Sequence, residues 1–268
     1  MKNDPILTAL EKLTPADPDG LTKALAHKSN LVAAKAARIV CDNLLPNLIP
    51  QLSTAFERFL VKDDKGCAAL MAIARALVTL DCDDADLYRK GIRHVQMEGS
   101  WGPPIDAASE LRAICAMGLA NTRDPNKTRD IVNLLADPEM LARAGAARAL
   151  AAIGSDAAAM VLRFKALTGD KEPEALCDCL RALLAIEGPE ALPLAERYLN
   201  SKDEAKRDAA IHAMGESRRG DALQVLIALY NRSVNPELKA TILLAIKTGR
   251  TEEGMKFVTF IESASLPE

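Results

Sequence analysis

A two-residue step returns five times along this chain at nearly even spacing. Ala116-Met117, Ala149-Leu150, Ala182-Leu183, Ala213-Met214 and Ala245-Ile246 lie 33, 33, 31 and 32 residues apart. Each falls late in an apolar segment of helical period. Self-similarity at a period of roughly 20 to 50 residues is the signature of stacked repeats, in which each unit touches only its neighbours. The 268 residues therefore read as one repeat domain spanning 1–268, not as a globule with a central core.

The residue types agree. Hydrophobic residues make up 49% of the chain, yet aromatics are one Trp, three Tyr and five Phe. The core must be built of Ala, Leu, Ile and Val, which suits helices packed closely through small side chains. The class is all-α. Helix pairs, A then B, are expected from residue 17 onward. The A helices fall at 17–28, 47–60, 84–94, 127–136, 156–168, 189–200, 220–231 and 252–263. The B helices fall at 31–44, 66–80, 105–119, 138–153, 173–187, 204–216 and 236–248. Asp137-Pro138, Glu172-Pro173 and Asn235-Pro236 each put a proline in the first turn of a B helix, where its missing N–H is harmless. A further helix over 4–13 makes 1–16 an N-terminal cap.

The repeats are regular over 105–268 and looser over 17–94. Ala76-Leu77 precedes Ala116-Met117 by 40 residues, one period plus an excess. That excess is located at 95–104, an inserted loop that carries Trp101 between Gly and Pro residues.

Asp137-Pro-Glu-Met-Leu-Ala-Arg143-Ala-Gly-Ala-Ala-Arg-Ala-Leu-Ala-Ala-Ile-Gly154 resembles helix B of a HEAT repeat. In that unit an acidic turn residue precedes an Arg and then an Ala-Ala-x-Ala-Leu run. The short period is similar to the HEAT-like repeats named after phycobilisome lyases. The resemblance covers 105–263 well and 17–94 more loosely. It implies a right-handed α-solenoid, a superhelix of about seven to eight helix pairs, with a concave face lined by B helices on which partners bind. It also implies an Asp-to-Arg pairing, carried here by Asp137 and Arg143. It does not select a function, because scaffolds, adaptors, bilin lyases and some DNA glycosylases share it.

The residue before each Ala-Leu step is expected to project from the B-helix face. It is Arg75, Arg148 and Arg181 in three repeats and Arg38 in the first, with Cys115, His212 and Leu244 elsewhere. A row of guanidinium groups can grip an acidic segment or phosphates through paired hydrogen bonds. The competing reading is that each Arg pairs with a nearby carboxylate, as Asp178 stands one turn before Arg181. Trp101 is either a binding residue on a ridge or a ring folded back as a lid over the neighbouring helices.

Other chemistry is thinly represented. Asp81 to Asp86 lacks the glycine and the Glu of a calcium loop, and Asp83 or Asp84 reads instead as a helix N-cap. The histidines at 27, 94 and 212 fall in different repeats, so no metal site is expected. The six cysteines read as small reduced thiols packed in helices. No nucleophile elbow, phosphate loop or zinc motif appears, so no catalytic residue and no cofactor is assigned.

A formal net charge of -3 argues against a dedicated nucleic-acid binder. No apolar run is long enough to span a membrane, and Met1-Lys2-Asn3-Asp4-Pro5 lacks a signal-peptide core, so the cytoplasm is the expected compartment. The expectation is a non-enzymatic scaffold binding a protein partner on its B-helix face, with Arg38, Arg75, Arg148, Arg181, His212 and Trp101 as contacts. The alternatives are a nucleic-acid binder or HEAT-like DNA glycosylase, and a bilin-lyase-like ligand handler. The apolar end segment, Met255 to Ile261, adds self-association through the C-terminal repeat.

Overall fold

The computed structural model describes residues 13–62 and 64–264. The expected helix over 4–13 lies, apart from residue 13, outside the described residues. The chain divides into two compact units, with the boundary between Ile153 and Gly154.

The first unit carries α1 (Pro18–Leu25), α2 (Asn30–Asp42), α3 (Ile49–Leu60), α4 (Ala68–Thr79), α5 (Ala85–Ile92), α6 (Ser109–Asn121), α7 (Lys127–Val132) and α8 (Met140–Ile153). The second carries α9 (Asp156–Thr168), α10 (Pro173–Glu187), α11 (Leu192–Leu199), α12 (Glu204–Glu216), α13 (Gly220–Arg232), α14 (Pro236–Gly249) and α15 (Glu252–Ala264). Even-numbered helices are the B helices. In the first unit α2, α4, α6 and α8 pack side by side, and in the second α10, α12 and α14 do the same. Each A helix from α1 to α13 packs on the B helix that follows it, and α15 packs on α14 before it. This is the all-helical repeat architecture expected from the recurring step.

Local chemistry explains the boundaries. Asp17, Asp84, Ser155, Asp203 and Asn235 each accept a hydrogen bond from a backbone N–H in the first turn of the helix they precede, satisfying donors that the helix leaves open. Pro173 and Pro236 open α10 and α14 as expected. Pro138 does not open α8. The Asp137 carboxylate accepts from Glu139 N at 2.9 Å, and this side-chain turn delays the helix to Met140. At the other end, most B helices stop at a residue in the left-handed region: Leu44, Asp81, Gly154, Gly188, Arg218 and Arg250 each follow a B helix closely and turn the chain back.

The B helices approach one another closely because small residues face across the gap. A Cβ added to Gly145 on α8 would collide with Ala113 on α6, and one added to Gly215 on α12 would collide with Ala245 on α14. At the second of these contacts the facing residue, Ala245, is the first member of the repeating step.

The insertion in the third pair is not a plain loop. Met97–Glu98 and Ile105–Asp106 pair as antiparallel strands β1 and β2. The residues at 105–106, expected to begin a B helix, form this hairpin instead, and α6 starts at Ser109.

Candidate functional site

On the first unit, Arg38, Arg75 and Arg148 come from α2, α4 and α8, and all three are exposed. The neighbouring residues Ala37, Ala76 and Ala149 are fully buried, so each Arg points away from the A helices. Between the B helices lie two adjoining hollows. One, of about 470 Å³, has Arg75 and Arg148 on its rim and Val78, Ile114 and Met117 among its lining. The other, of about 300 Å³, has Arg38, Met71, Ala72 and Arg75. Cys41, Arg75 and Glu110 belong to both.

Arg75 on α4 pairs with Glu110 on α6, and this ion pair lies where the hollows meet. Both side chains are about half exposed, at 57% and 46%, so solvent competes for the pair and its net strength is about 0–1 kcal/mol. Arg38 has no ion pair among the described residues. The hollows therefore combine an apolar floor with cationic rims, on which Arg75 is lightly held by an internal carboxylate.

The expected stripe is only partly continuous. Cys115 does not project from α6; it is fully buried, packed toward Gly91 of α5, and desolvation pushes its thiol well above the usual range. Burial of Cys115 and Ala116, with Met117 only half-buried, places the core step at 115–116 in this repeat. The hairpin has shifted the frame by one residue, and Ile114 lines the hollow between Arg75 and Arg148.

Arg181 and His212 lie in the second unit, on α10 and α12. Arg181 is half-buried and pairs with Asp178 one turn earlier and with Glu216 of α12 at 3.6 Å. For this residue the pairing reading is the observed one. His212 is half-buried, and Leu244 on α14 is exposed. Lys206 pairs with the cap residue Asp203 and Arg207 with Glu204, and Lys239 sits over the Tyr230 ring.

Trp101 stands clear of the protein at 109% exposure. It is not a lid. It sits at the tip of a hairpin whose base is firmly held. Glu98 accepts from Gly66 N and from the Gln96 amide, and the Gly66 bond, with that of Gln96, draws its carboxyl below the usual range. Asp106 accepts from Gln96 N, Ala108 N and the Arg112 guanidinium. Burial opposes ionisation of Asp106, but those hydrogen bonds outweigh it and hold the carboxyl low.

Arg112 is the residue that sequence reasoning missed. Its side chain is 3% exposed, and it joins Asp106, Asp137 and the His94 carbonyl. The pairing expected of Asp137 and Arg143 takes a different form: Arg143 donates to the backbone carbonyls of Asp137 and Pro138, while the Asp137 carboxylate receives Arg112. The available signal was the recurrence of an Asp ahead of the B helices, at 64, 106, 137, 170 and 203. Asp64, fully buried, caps α4 through Ala69 N and Leu70 N and receives Asn30 from α2.

All six cysteines are free thiols, four buried and Cys41 and Cys177 half-buried. Among the described residues no group of three or more His, Cys, Asp or Glu is placed to hold a metal ion. No described helix is long and apolar enough to cross a membrane. In α15, Phe257 stacks edge-on against Tyr230 at 5.5 Å, while Met255 and Phe260 remain exposed.

The class these features define is an all-α repeat protein with small-residue contacts between its B helices. Within it, residues 162–247 match the family model for HEAT repeats, in agreement with the resemblance carried by the 137–154 segment. A comparison with curated proteins gives no match. Among solved structures, an engineered protein is 19% identical, covering 87% of this chain and 97% of its own, with a TM-score of 0.35. The complex of CpcE and CpcF of phycocyanin lyase from Nostoc sp. PCC7120 is 17% identical, covering 99% and 97%, with a TM-score of 0.37.

Proposed function

We propose that this protein is a non-catalytic interaction module that holds an acidic stretch of a protein partner on the exposed face of α2, α4, α6 and α8. The observation that carries this reading is the convergence of Arg38, Arg75 and Arg148 on adjoining hollows with apolar floors. An apolar floor accepts side chains and the cationic rims accept carboxylates, a combination suited to a peptide segment. A phosphate backbone would ask for a continuous positive track, and here Glu110 and Asp42 interrupt it. The hollows lie between helices that already pack against one another, so the surface costs little to order when it binds. Trp101, held out on its hairpin, supplies a separate aromatic contact. The reading needs no metal and no cofactor.

The test is affinity capture from nuclease-treated lysate of the source cell, comparing the wild type with an Arg38→Glu, Arg75→Glu, Arg148→Glu variant of unchanged helicity. A small set of proteins retained by the wild type and lost by the variant supports the reading. Capture that disappears with nuclease, with no protein left behind, rejects it in favour of nucleic acid.

A further inference from the structure

The first helix of the second unit, α9, carries a row of large apolar side chains in solvent. Met160, Phe164 and Leu167 are 68%, 67% and 53% exposed. The opposite side of the helix is committed to the core through Ala158, Ala159, Leu162 and Ala166. A lone exposed apolar residue needs no explanation, but three in register on one ridge do. Steps of four and then three residues are those of a coiled-coil seam, and at about 100° per residue Asp156, Met160, Phe164 and Leu167 fall within about 80° of arc. So narrow a row fits a helix laid alongside it.

The charges at the two ends of the row have opposite sign. Asp156, exposed, begins it. At the other end Leu167 shares a hollow of about 220 Å³ with Leu194, Tyr198 and Arg197, and Lys171 follows in the turn beyond. Asp156, Lys171 and Arg197 are all exposed and have no ion pair among the described residues. The neighbouring cations are already taken: Arg163 by Glu187 and Lys165 by Asp170.

We propose that this row is a self-complementary docking seam, occupied by α9 of a second copy of the chain running antiparallel. Antiparallel pairing about Phe164 sets Met160 of each copy against Leu167 of the other. The flexible Met160 side chain then has the Leu167–Leu194–Tyr198 hollow to fill. It also brings Asp156 of each copy to the Lys171–Arg197 end of the other, so every contact is made twice about a two-fold axis. A parallel pair would instead set like charges against one another. A single helix row is small beside the roughly 1,200 Å² that a stable interface buries, so the dimer is a weak one. This proposal is independent of the groove on α2 to α8.

The experiment is sedimentation equilibrium of the full chain across concentration, with helicity checked by circular dichroism. The wild type is expected to pass from monomer to dimer, and Phe164→Glu to weaken association at least tenfold. Asp156→Arg alone, and Lys171→Asp with Arg197→Asp, each weaken it, while all three substitutions together restore it. Phe164→Cys at the axis is expected to form an intermolecular disulfide under mild oxidation, and a crosslink favouring another position counts against the seam. A wild type that stays monomeric to about 100 μM overturns the proposal. So does a dimer insensitive to Phe164→Glu, or charge reversals that do not rescue one another.

Discussion

Arg112 on α6 donates two hydrogen bonds, of 2.9 and 2.8 Å, to the carboxylate of Asp137 in the turn ahead of α8. The same guanidinium reaches back to Asp106 at 2.6 Å and to the His94 carbonyl at 3.0 Å. One buried cation therefore holds the foot of the hairpin, its own helix and the following repeat together. Removing it strands two carboxylates that have lost their solvent. Arg112→Met is expected to lower the stability of the first unit by about 3–5 kcal/mol, read as a shift in its urea midpoint by circular dichroism. A loss under about 1 kcal/mol would show the cluster to be solvated and weak.

The Asp106 carboxyl gives this cluster a pH signature. Its folded pKa lies below the ordinary Asp value, so its contribution to stability is complete above about pH 4 and is lost as pH falls through the folded value. Between the two values the unfolded chain binds the extra proton. The urea midpoint should fall with acid in that window, and Asp106→Asn should flatten the slope there. An unchanged slope in the variant contradicts this account.

Trp101 makes a separate optical prediction. It is the one tryptophan of the chain and is fully exposed. Its emission should already be that of a hydrated indole in the folded state, and acrylamide should quench it almost as fast as in urea. Unfolding followed by tryptophan emission should be nearly silent while circular dichroism reports a full transition. A blue-shifted, protected emission would mean that the ring is covered in solution.

The groove on α2 to α8 can be read through Glu110 and Cys41. Because Glu110 competes for Arg75, Glu110→Gln should tighten binding of the acidic partner by up to about fivefold, the upper bound set by an exposed ion pair of 0–1 kcal/mol. Cys41 lines both hollows and is half-buried, whereas burial raises the Cys67 and Cys179 thiols to about 12. At pH 8 an alkylating reagent should modify Cys41 first, and bound partner should protect it. Weaker binding by Glu110→Gln, or undiminished labelling in the complex, would place the partner elsewhere.

Close helix contact predicts a sharp contrast between two glycines. Gly145→Ala pushes a methyl into Ala113 across the α6–α8 contact and is expected to cost about 1–3 kcal/mol. Gly99, in the hairpin, has open space around its Cβ position, and Gly99→Ala should be neutral within about 0.5 kcal/mol. Equal effects at both positions would mean that the B helices are not so tightly apposed.

Periodicity made the helix pairs legible because each B helix repeats one need, small and apolar residues against its neighbours. The same periodicity placed Arg38, Arg75 and Arg148 on one exposed B-helix face. It misplaced Cys115, since a hairpin that replaces a loop moves the frame by one residue without changing the composition of the helix after it. The hairpin itself was hidden because Met97–Glu98 and Ile105–Asp106 are too short to show an alternating pattern. Left-handed helix ends were legible at Gly154 and Gly188 only; Leu44, Asp81, Arg218 and Arg250 adopt that conformation without glycine. Arg112 looked like any helix arginine, because its burial depends on Asp106 and Asp137, contributed from opposite sides of its helix in the sequence.

An array of repeats joined only by neighbour contacts can fray from its ends, one helix pair at a time. The Arg112 cluster interrupts that mode. Opening α7 and α8 strips the Asp137 carboxylate from the buried guanidinium, and opening the hairpin strips Asp106 and the His94 carbonyl, so either motion costs the cation a partner. Residues 94–153 should therefore exchange their slowest amide hydrogens together, as a single cooperative block. The hairpin that holds up Trp101 belongs to that block, which makes it as durable as the helices beneath it.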